Sequence, residues 1–248
     1  MIGILSAMDD EIRLLIGDLE RRDETTIAGR RYLRGTLYGH DVVLALSRWG
    51  KVAAAQTATT LINTFGVSKV IFTGVAGGVD PSLEIGDIVI STELVQHDVD
   101  ASAVPLMKRF EIPLLGISHF ASDATLLRQA VQAAAEYASG ITSDIETKHL
   151  DTYRITTPRV TSGLIASGDL FIADPNKTAE LRDALPGLQC IEMEGAAVAQ
   201  VCYEHGIPFV VIRAISDKAD HSAVIDFPQF VEYIAAHYSR GIIRGMLS

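Results

Sequence analysis

Two short polar segments in the C-terminal half carry the residue types best suited to chemistry. Residues 191–196 read Ile-Glu-Met-Glu-Gly-Ala, residues 213–217 read Arg-Ala-Ile-Ser-Asp, and an apolar stretch separates them. Carboxylates and a guanidinium at the ends of buried elements are costly unless they bind a ligand or one another. Ligands of α/β proteins bind at the carboxyl ends of the strands. The two segments are therefore a candidate active site.

The first segment places two carboxylates, Glu192 and Glu194, on either side of Met193. If a strand continues through them, both carboxylates face the same side; if a helix has already begun, they diverge. A carboxylate can accept two hydrogen bonds from a vicinal diol, so such a group suits a ribose. The alternative is that the two residues only supply negative charge to a helix N-terminus.

Asp217 and Glu11 are candidates for acid–base chemistry. Asp217 follows Ser216 after a strand-like run, so it could cap the next turn or share a proton with a heterocycle nitrogen. Residues 9–11 read Asp-Asp-Glu where a first strand passes into a helix, and such charges stabilise a helix N-terminus. Glu11 differs from the other two because it lies one helical turn beyond Met8 and could lean back over the strand end.

Two further motifs are weaker. Residues 74–78, Gly-Val-Ala-Gly-Gly, follow a strand and could hold a phosphate through backbone amides, but they match neither the Walker nor the Rossmann spacing. They could equally form a tight turn that lets a ligand approach closely. Residues 97–100, His-Asp-Val-Asp, offer nitrogen and oxygen ligands without a second cluster, so no metal is expected.

Composition and charge disfavour several classes of protein. The chain has 248 residues, 48% of them apolar, and a net charge of -10, which suits a sizeable core rather than disorder. No block of Lys or Arg forms a stripe along which phosphates could bind, so no nucleic-acid partner is expected. We expect neither a signal peptide nor a membrane span, because the N-terminus lacks a basic region and no apolar run reaches about 18 residues. A cytoplasmic protein follows, with Cys190 and Cys202 as buried reduced thiols.

Strands that alternate with helices must position these residues. Apolar runs predict strands at 2–7, 32–37, 42–47, 70–73, 87–95, 160–166 and 208–215, and helices are predicted at 12–19, 51–65, 124–138, 175–185, 195–205 and 227–246. This alternation predicts one three-layer αβα domain over residues 1–248, and a hairpin around Gly39-His40 predicts a mixed sheet. Residues 97–122 show no hydrophobic periodicity, so they are predicted to form a long loop. A loop of this length is usually functional or covers a partner.

Taken together, the motifs resemble those of the 5′-methylthioadenosine/S-adenosylhomocysteine nucleosidases, within the nucleoside phosphorylase superfamily. The matching segments occur in order along nearly the whole chain: residues 2–12, 50–54, 73–78, 97–100, 166–172, 191–197 and 213–217. The resemblance implies a nucleoside phosphorylase-like fold and a role in methionine salvage. It also implies hydrolysis, without a cofactor, of the N-glycosidic bond in 5′-modified adenine nucleosides.

The resemblance further implies roles for single residues. Glu11 would activate the attacking water, Asp217 would protonate purine N7, and Arg213 would support the water or ribose side. Glu194, with Met193, would hold the ribose hydroxyls. The remaining expected binding residues are Phe171 stacked on the purine, Ile172 at its edge through the backbone, Ala7, Met8 and Phe227 at the ribose and 5′-thio end, and Trp49, Val75, Glu192 and Ser216.

These roles agree with the chemistry. Cleavage of the glycosidic bond builds positive charge on the ribose and negative charge on the leaving purine, so a carboxylate near one and a proton donor at the other stabilise the transition state. Asp rather than Asn at position 217 favours adenine over hypoxanthine. A phosphorylase would seat a phosphate dianion between arginines, whereas Glu11 would repel it. Arg48 is the nearby cation that keeps phosphorolysis as an alternative.

The chain departs from the commonest family pattern at Arg48-Trp49, at Val75 and at Ala101–Val104, which lacks an aromatic residue. The first and third departures lie around the 5′ end of the nucleoside, so a futalosine-type nucleoside is an alternative substrate. A non-catalytic nucleoside sensor is a further alternative, although binding alone would not require both Glu11 and Asp217. In this family the long loop of one subunit closes the site of its partner. The resemblance therefore implies a homodimer in which Ala101, Val104 and Pro113 serve the neighbouring site.

Overall fold

A mixed ten-stranded sheet forms the centre of the computed structural model, which describes residues 1–248. The strands are β1 (Ile2–Ser6), β2 (Glu20–Ile27), β3 (Arg30–Leu37), β4 (His40–Leu46), β5 (Lys69–Gly78), β6 (Ile88–Gln96), β7 (His119–Ala121), β8 (Val160–Ser167), β9 (Leu188–Glu192) and β10 (Phe209–Asp217). The helices are α1 (Asp9–Asp18), α2 (Lys51–Asn63), α3 (Ala124–Ser139), α4 (Thr147–Tyr153), α5 (Pro175–Ala184), α6 (Gly195–His205), α7 (Ala223–Phe230) and α8 (Ala236–Met246).

Five of the strands close on themselves. β5 pairs with β10, β10 with β6, β6 with β8, β8 with β9, and β9 pairs back to β5. The β5–β9 contact is antiparallel and consists only of Gly77 opposite Ile191 and Gly78 opposite Cys190. These two strands therefore meet at their carboxyl ends, which brings the residues that follow β9 beside the end of β5.

Alternating side chains of the central strands build two apolar layers, one on each face. Ile4, Val42 and Ile71 face the cluster that includes α1, α3 and α8, while their neighbours Leu5 and Val43 face the cluster that includes α2 and α6. Successive residues of a strand point to opposite faces, so both faces must be apolar when helices cover both. The predicted three-layer αβα arrangement with a mixed sheet is confirmed.

The predicted hairpin is also confirmed, between β3 and β4. Tyr38 and Gly39 form its two-residue turn with φ values of 49° and 84°. Positive φ at both positions is the condition for the tight turns that match strand twist.

Three sequence expectations were wrong or incomplete. The turn expected at 74–78 is instead the end of β5, because these residues pair with β10 and then β9, so their amides are not free to cradle a phosphate. Four elements were not predicted: the charged strand β2, the strands β7 and β9, and the helix α4. The single helix expected at 227–246 begins earlier, at Ala223, and it consists of α7, a π-helical turn at Val231–Ala235 and α8. That turn follows Pro228, which has no N–H for the regular helical ladder.

None of the helices combines the length and the apolar character that crossing a membrane requires.

Candidate active site

A cavity of about 560 Å³, including its solvent-open mouth, lies where β1, β5, β9 and β10 end. Residues from several loops and strand ends line the cavity: Ala7, Met8, Glu11, Trp49, Val75, Ala76, Gly77, Leu170, Phe171, Ile172, Ile191, Glu192, Met193, Glu194, Ser216, Asp217 and Phe227. The structure thus brings together every residue expected to bind substrate, with Glu11 and Asp217.

Glu11 is held beneath the end of β1 by four hydrogen bonds. Its Oε2 accepts from the Ser6 hydroxyl, from Ala7 N at 3.0 Å and from Met8 N at 3.1 Å, and its Oε1 accepts from Val75 N at 3.0 Å. The side chain is only 2% exposed. Burial raises the pKa of the Glu11 carboxyl, and the hydrogen bonds and the Arg213 charge only partly offset this. The result is a carboxylate that takes up a proton more readily than an exposed one.

Glu192 and Arg213 form a buried ion pair behind the cavity. Arg213 Nη2 lies 2.6 Å from Glu192 Oε2, and its guanidinium stacks 4.2 Å from the centroid of the Phe72 ring. Glu192 also accepts hydrogen bonds from the Ser167 hydroxyl and from the amides of Glu194 and Gly195. The oxygens of Glu192 are therefore occupied by the protein, and Arg213, although close to Glu11, does not line the cavity.

Glu194 points in a different direction from Glu192, because β9 ends at Glu192 and α6 begins at Gly195. Its Oε1 accepts from Gly50 N at 2.7 Å, and the protein supplies no partner for its Oε2. Burial and the nearby Glu192 charge raise the pKa of Glu194 to about 8. Of the two carboxylates that flank Met193, only Glu194 has an oxygen available to a ligand.

Asp217 ends β10 at a bulge opposite Gly77. Its Oδ1 accepts from Ala219 N and its Oδ2 from the Ser216 hydroxyl, each at 2.8 Å. Burial raises the pKa of Asp217, and the hydrogen bonds from Ala219 and Ser216 only partly offset this. A protonated carboxyl can donate a hydrogen bond, which an ionised one cannot.

Glu11 and Asp217 both lie against β5. A Cβ on Gly74 would lie 2.7 Å from Glu11 Oε1, and one on Gly77 would lie 2.9 Å from Asp217 Oδ1. Two carboxyls with raised pKa values therefore flank the end of one strand and line one cavity.

Aromatic side chains form the mouth of the cavity. Trp49 meets Phe227 edge to face at 5.9 Å between ring centroids, and Phe227 meets Phe171 in the same way at 5.5 Å. Trp49 is 52% exposed and Phe171 is 45% exposed. Half-exposed aromatic rings beside a cavity offer faces on which a flat ligand can stack.

No lysine or arginine lines the cavity. Arg48 donates to the carbonyl oxygen of Gly29 at 2.7 Å and so points toward the β2–β3 turn. A phosphate dianion in the cavity would face the carboxyls of Glu11, Glu192, Glu194 and Asp217 without a cation. This arrangement suits water as the attacking group.

Ala101, Val104 and Pro113 were expected at the site of the partner subunit. In this chain they belong to the long segment after β6 and do not line its own cavity. The lining also includes Leu170 and Ile191, which were not expected. Both are immediate neighbours of expected residues in sequence, which is the signal that could have identified them.

Comparisons with known proteins agree with this architecture. The sequence profile of the phosphorylase superfamily matches residues 1–248. A 5′-methylthioadenosine/S-adenosylhomocysteine nucleosidase of Bacillus cereus (strain B4264) is 39% identical over 243 residues, which are 98% of this chain and 96% of that protein.

Solved structures give the same result. The nucleosidase of this name from Neisseria meningitidis, in complex with methylthio-immucillin-A, has a TM-score of 0.87 and 36% identity, with 99% of this chain and 97% of that one covered. The futalosine hydrolase of Helicobacter pylori has a TM-score of 0.82 and 32% identity, covering 99% and 96% respectively. The chain belongs to the 5′-methylthioadenosine/S-adenosylhomocysteine nucleosidase family of the phosphorylase superfamily.

Proposed function

We propose that the protein hydrolyses the N-glycosidic bond of 5′-methylthioadenosine and S-adenosylhomocysteine and releases adenine. One observation carries the proposal: two buried carboxyls with raised pKa values, Glu11 and Asp217, stand at one cavity that no cation lines. Cleavage needs a base for water and an acid for the leaving purine, and paired carboxyls with raised pKa values can supply both.

Glu11 acts as the base. In its ionised form it takes a proton from the attacking water, and its raised pKa makes it a stronger base than an ordinary carboxylate. Its negative charge also stabilises the positive charge that develops on the ribose. The Arg213–Glu192 pair lies behind it and supports this side of the cavity.

Asp217 acts as the acid. Its raised pKa keeps a proton available for purine N7 as negative charge builds on the leaving base. The hydrogen bonds from Ser216 and Ala219 fix the carboxyl in one orientation.

The rest of the lining binds the nucleoside. Glu194 accepts hydrogen bonds from the ribose hydroxyls through its free oxygen, and Met193 packs beside the ribose. Phe171 stacks on the adenine, and the Ile172 backbone recognises its edge. The ribose and the 5′ substituent contact Ala7, Met8, Trp49, Val75 and Phe227.

Adenine release from 5′-methylthioadenosine in phosphate-free buffer tests the reaction. We expect steady turnover in the wild-type protein and a loss of about 10² to 10⁴-fold in Glu11→Gln. The variant should still bind a substrate analogue, because the amide keeps the shape of the carboxyl. Turnover that appears only after phosphate is added would show that the enzyme is a phosphorylase. A fully active Glu11→Gln would remove Glu11 from its role.

A futalosine-type nucleoside is the second candidate substrate. It is favoured by the similarity to the futalosine hydrolase of Helicobacter pylori and by Trp49, whose half-exposed ring stands at the mouth of the cavity. Parallel assays with methylthioadenosine, adenosylhomocysteine, deoxyadenosine and aminofutalosine separate the candidates. The preferred substrate is the one with the highest kcat/KM.

We further propose a cytoplasmic homodimer that serves methionine salvage, acting over residues 1–248 as a single nucleosidase domain. The long segment after β6 carries apolar side chains with little cover, Leu106 at 96% and Leu114 at 97% exposure. Ala101, Val104 and Pro113 lie in the same segment and would close the site of the partner. A monomer that is fully active at high dilution would contradict this arrangement.

A further inference from the structure

Three residues that the proposed mechanism does not use form a closed ring of hydrogen bonds beside the cavity. Lys51 Nζ donates to Asp98 Oδ1 at 2.6 Å, Asp169 N donates to Asp98 Oδ2 at 2.9 Å, and Lys51 N donates to Asp169 Oδ1 at 2.8 Å. The three residues are distant in sequence. They come from the start of α2, from the segment after β6 and from the segment after β8.

The ring takes the place of a helix cap. No side chain within α2 caps its N-terminus, and its first amides donate instead to carboxylates from other parts of the chain. Lys51 N donates to Asp169, and the adjacent Gly50 N donates to Glu194. Carboxylates at a helix N-terminus are stabilised by the free amides and the helix dipole. The same helix end therefore holds both Asp169 and the carboxylate that we assign to the ribose.

The ring anchors a segment that has no regular secondary structure. Residues 168–174, between β8 and α5, form no helix or strand, and they present Leu170, Phe171 and Ile172 to the cavity. Phe171 is half-exposed and rests edge-on against Phe227. At the start of the segment, a side chain at Gly168 would collide with the buried His97 ring, so the backbone packs directly on that ring.

The Lys51–Asp98 ion pair of the ring is partly shielded, whereas Asp169 is exposed. The side chains of Lys51 and Asp98 are only 16% and 22% exposed, so their attraction is screened less than that of a surface pair. Burial alone would raise the pKa of Asp98, but the hydrogen bonds from Lys51 and from the Asp169 amide outweigh it and lower the pKa. Asp98 therefore stays ionised near neutral pH.

We propose that Lys51, Asp98 and Asp169 are positioning residues for substrate binding, which fix Phe171 at the adenine site and tie it to the α2 end that holds Glu194. This inference rests on the proposed function. The ring makes no contact with the reacting atoms, so it acts on the binding of the base rather than on the chemical step.

Asp169→Ala and Asp169→Asn form the matched pair that tests the ring. The alanine variant removes the acceptor for Lys51 N, whereas asparagine keeps an acceptor oxygen. We expect the alanine variant to raise the KM for 5′-methylthioadenosine about tenfold with kcat within about threefold, because weaker base binding acts on ground and transition states alike. The asparagine variant should stay within about twofold of wild type.

The effect should act through Phe171. In a Phe171→Ala background, the further change Asp169→Ala should alter KM by less than about twofold, because coupled residues are not additive. Lys51→Met provides a second route to breaking the ring if Asp169→Ala does not fold, and it should raise KM in the same way. The melting temperature of each variant separates these effects from a general loss of stability.

The outcomes distinguish this inference from the proposed function. A wild-type protein that releases no adenine defeats the proposed function itself. Wild-type turnover together with an unchanged KM in the folded ring variants overturns only the positioning role. Equal effects of alanine and asparagine at position 169, or a full tenfold penalty retained in the Phe171→Ala background, would also overturn it.

Discussion

Glu192 and Glu194 have different roles although only one residue separates them. Glu192 is the last residue of its strand and is saturated by Arg213, Ser167 and two amides, whereas Glu194 keeps one oxygen for a ligand. An isolated buried charge is strongly destabilising. The ion pair with Arg213 offsets the cost of burying Glu192 in a site that contains three other acidic groups. The sequence alone left open whether the two carboxylates share a side. The answer depends on where the strand ends, which is the least predictable property of an element.

The buried Glu194 makes stability depend on pH. In the folded protein its pKa is raised to about 8, so between the ordinary value of 4.5 and about 8 the folded state holds a proton that the unfolded chain has released. The contribution of Glu194 to the free energy of unfolding therefore falls as pH rises through this window. Glu194→Gln keeps an acceptor for Gly50 N but cannot titrate. Between pH 5 and pH 9 we expect its free energy of unfolding to fall by on the order of 3 kcal/mol less than that of the wild-type protein.

Urea unfolding across this pH range measures the difference. Glu20→Gln, which alters an exposed residue of β2, is the control and should follow the wild-type curve. A constant gap between Glu194→Gln and wild type at every pH would mean that Glu194 does not titrate in this window.

At the scale of single elements, β5 is the strand on which the site depends. It pairs with β1, β9 and β10, and it passes next to both carboxyls that we propose as catalytic, Glu11 at Gly74 and Asp217 at Gly77. A side chain at either glycine would occupy the space that Glu11 or Asp217 now fills.

Gly74→Ala should therefore impair catalysis. The added Cβ would lie 2.7 Å from Glu11 Oε1 and would push the carboxylate from its position. A displacement near 1 Å typically costs about 10²-fold in rate, so we expect kcat for adenine release to fall at least about tenfold. Gly17→Ala is the control, because no atom lies within 4 Å of its added Cβ, and it should leave kcat unchanged. A Gly74→Ala enzyme with wild-type kcat would mean that Glu11 tolerates the shift.

The elements that could be predicted from the sequence were those with clear apolar runs. The buried strands β1 and β10 each contain an apolar run, at 2–5 and 209–212, and these runs allowed both strands to be predicted. β2 reads Glu-Arg-Arg-Asp-Glu-Thr-Thr-Ile and pairs only with β3, so hydrogen bonding rather than an apolar pattern defines it. The end of β5 was misassigned because glycines ordinarily mark turns, whereas here they leave space for neighbouring carboxyls.

At the scale of the whole molecule, the cavity walls come from distant parts of the sequence. Residues 7–11 and residues 216–227 both contribute to its lining. Sequence could indicate which residue types belong to the site but not their contacts. The ring of Lys51, Asp98 and Asp169 is an example, since each of its members stood in a motif whose purpose the sequence did not reveal.

The proposed dimer gives a prediction at this scale. Leu106→Glu with Leu114→Glu should weaken association, because both side chains are almost fully exposed in the single chain and would be covered by a partner. Light scattering at micromolar protein should report the monomer mass, and KM should rise because the neighbouring site is no longer closed. Ile225→Glu, an exposed apolar residue outside the segment, should keep the dimer mass. A dimer that persists in the double variant would contradict this interface.

The closed pairing around β5 leaves β2 as the one long strand with a single neighbour. An open strand edge is a template on which another chain can add a strand and begin to aggregate. Here that edge carries five consecutive charged residues, 20–24, and its side chains are exposed. Because a second chain would have to align its own charges against these, the edge resists polymerisation. The charges that kept β2 from being predicted as a strand are thus expected to disfavour edge-to-edge association of this protein.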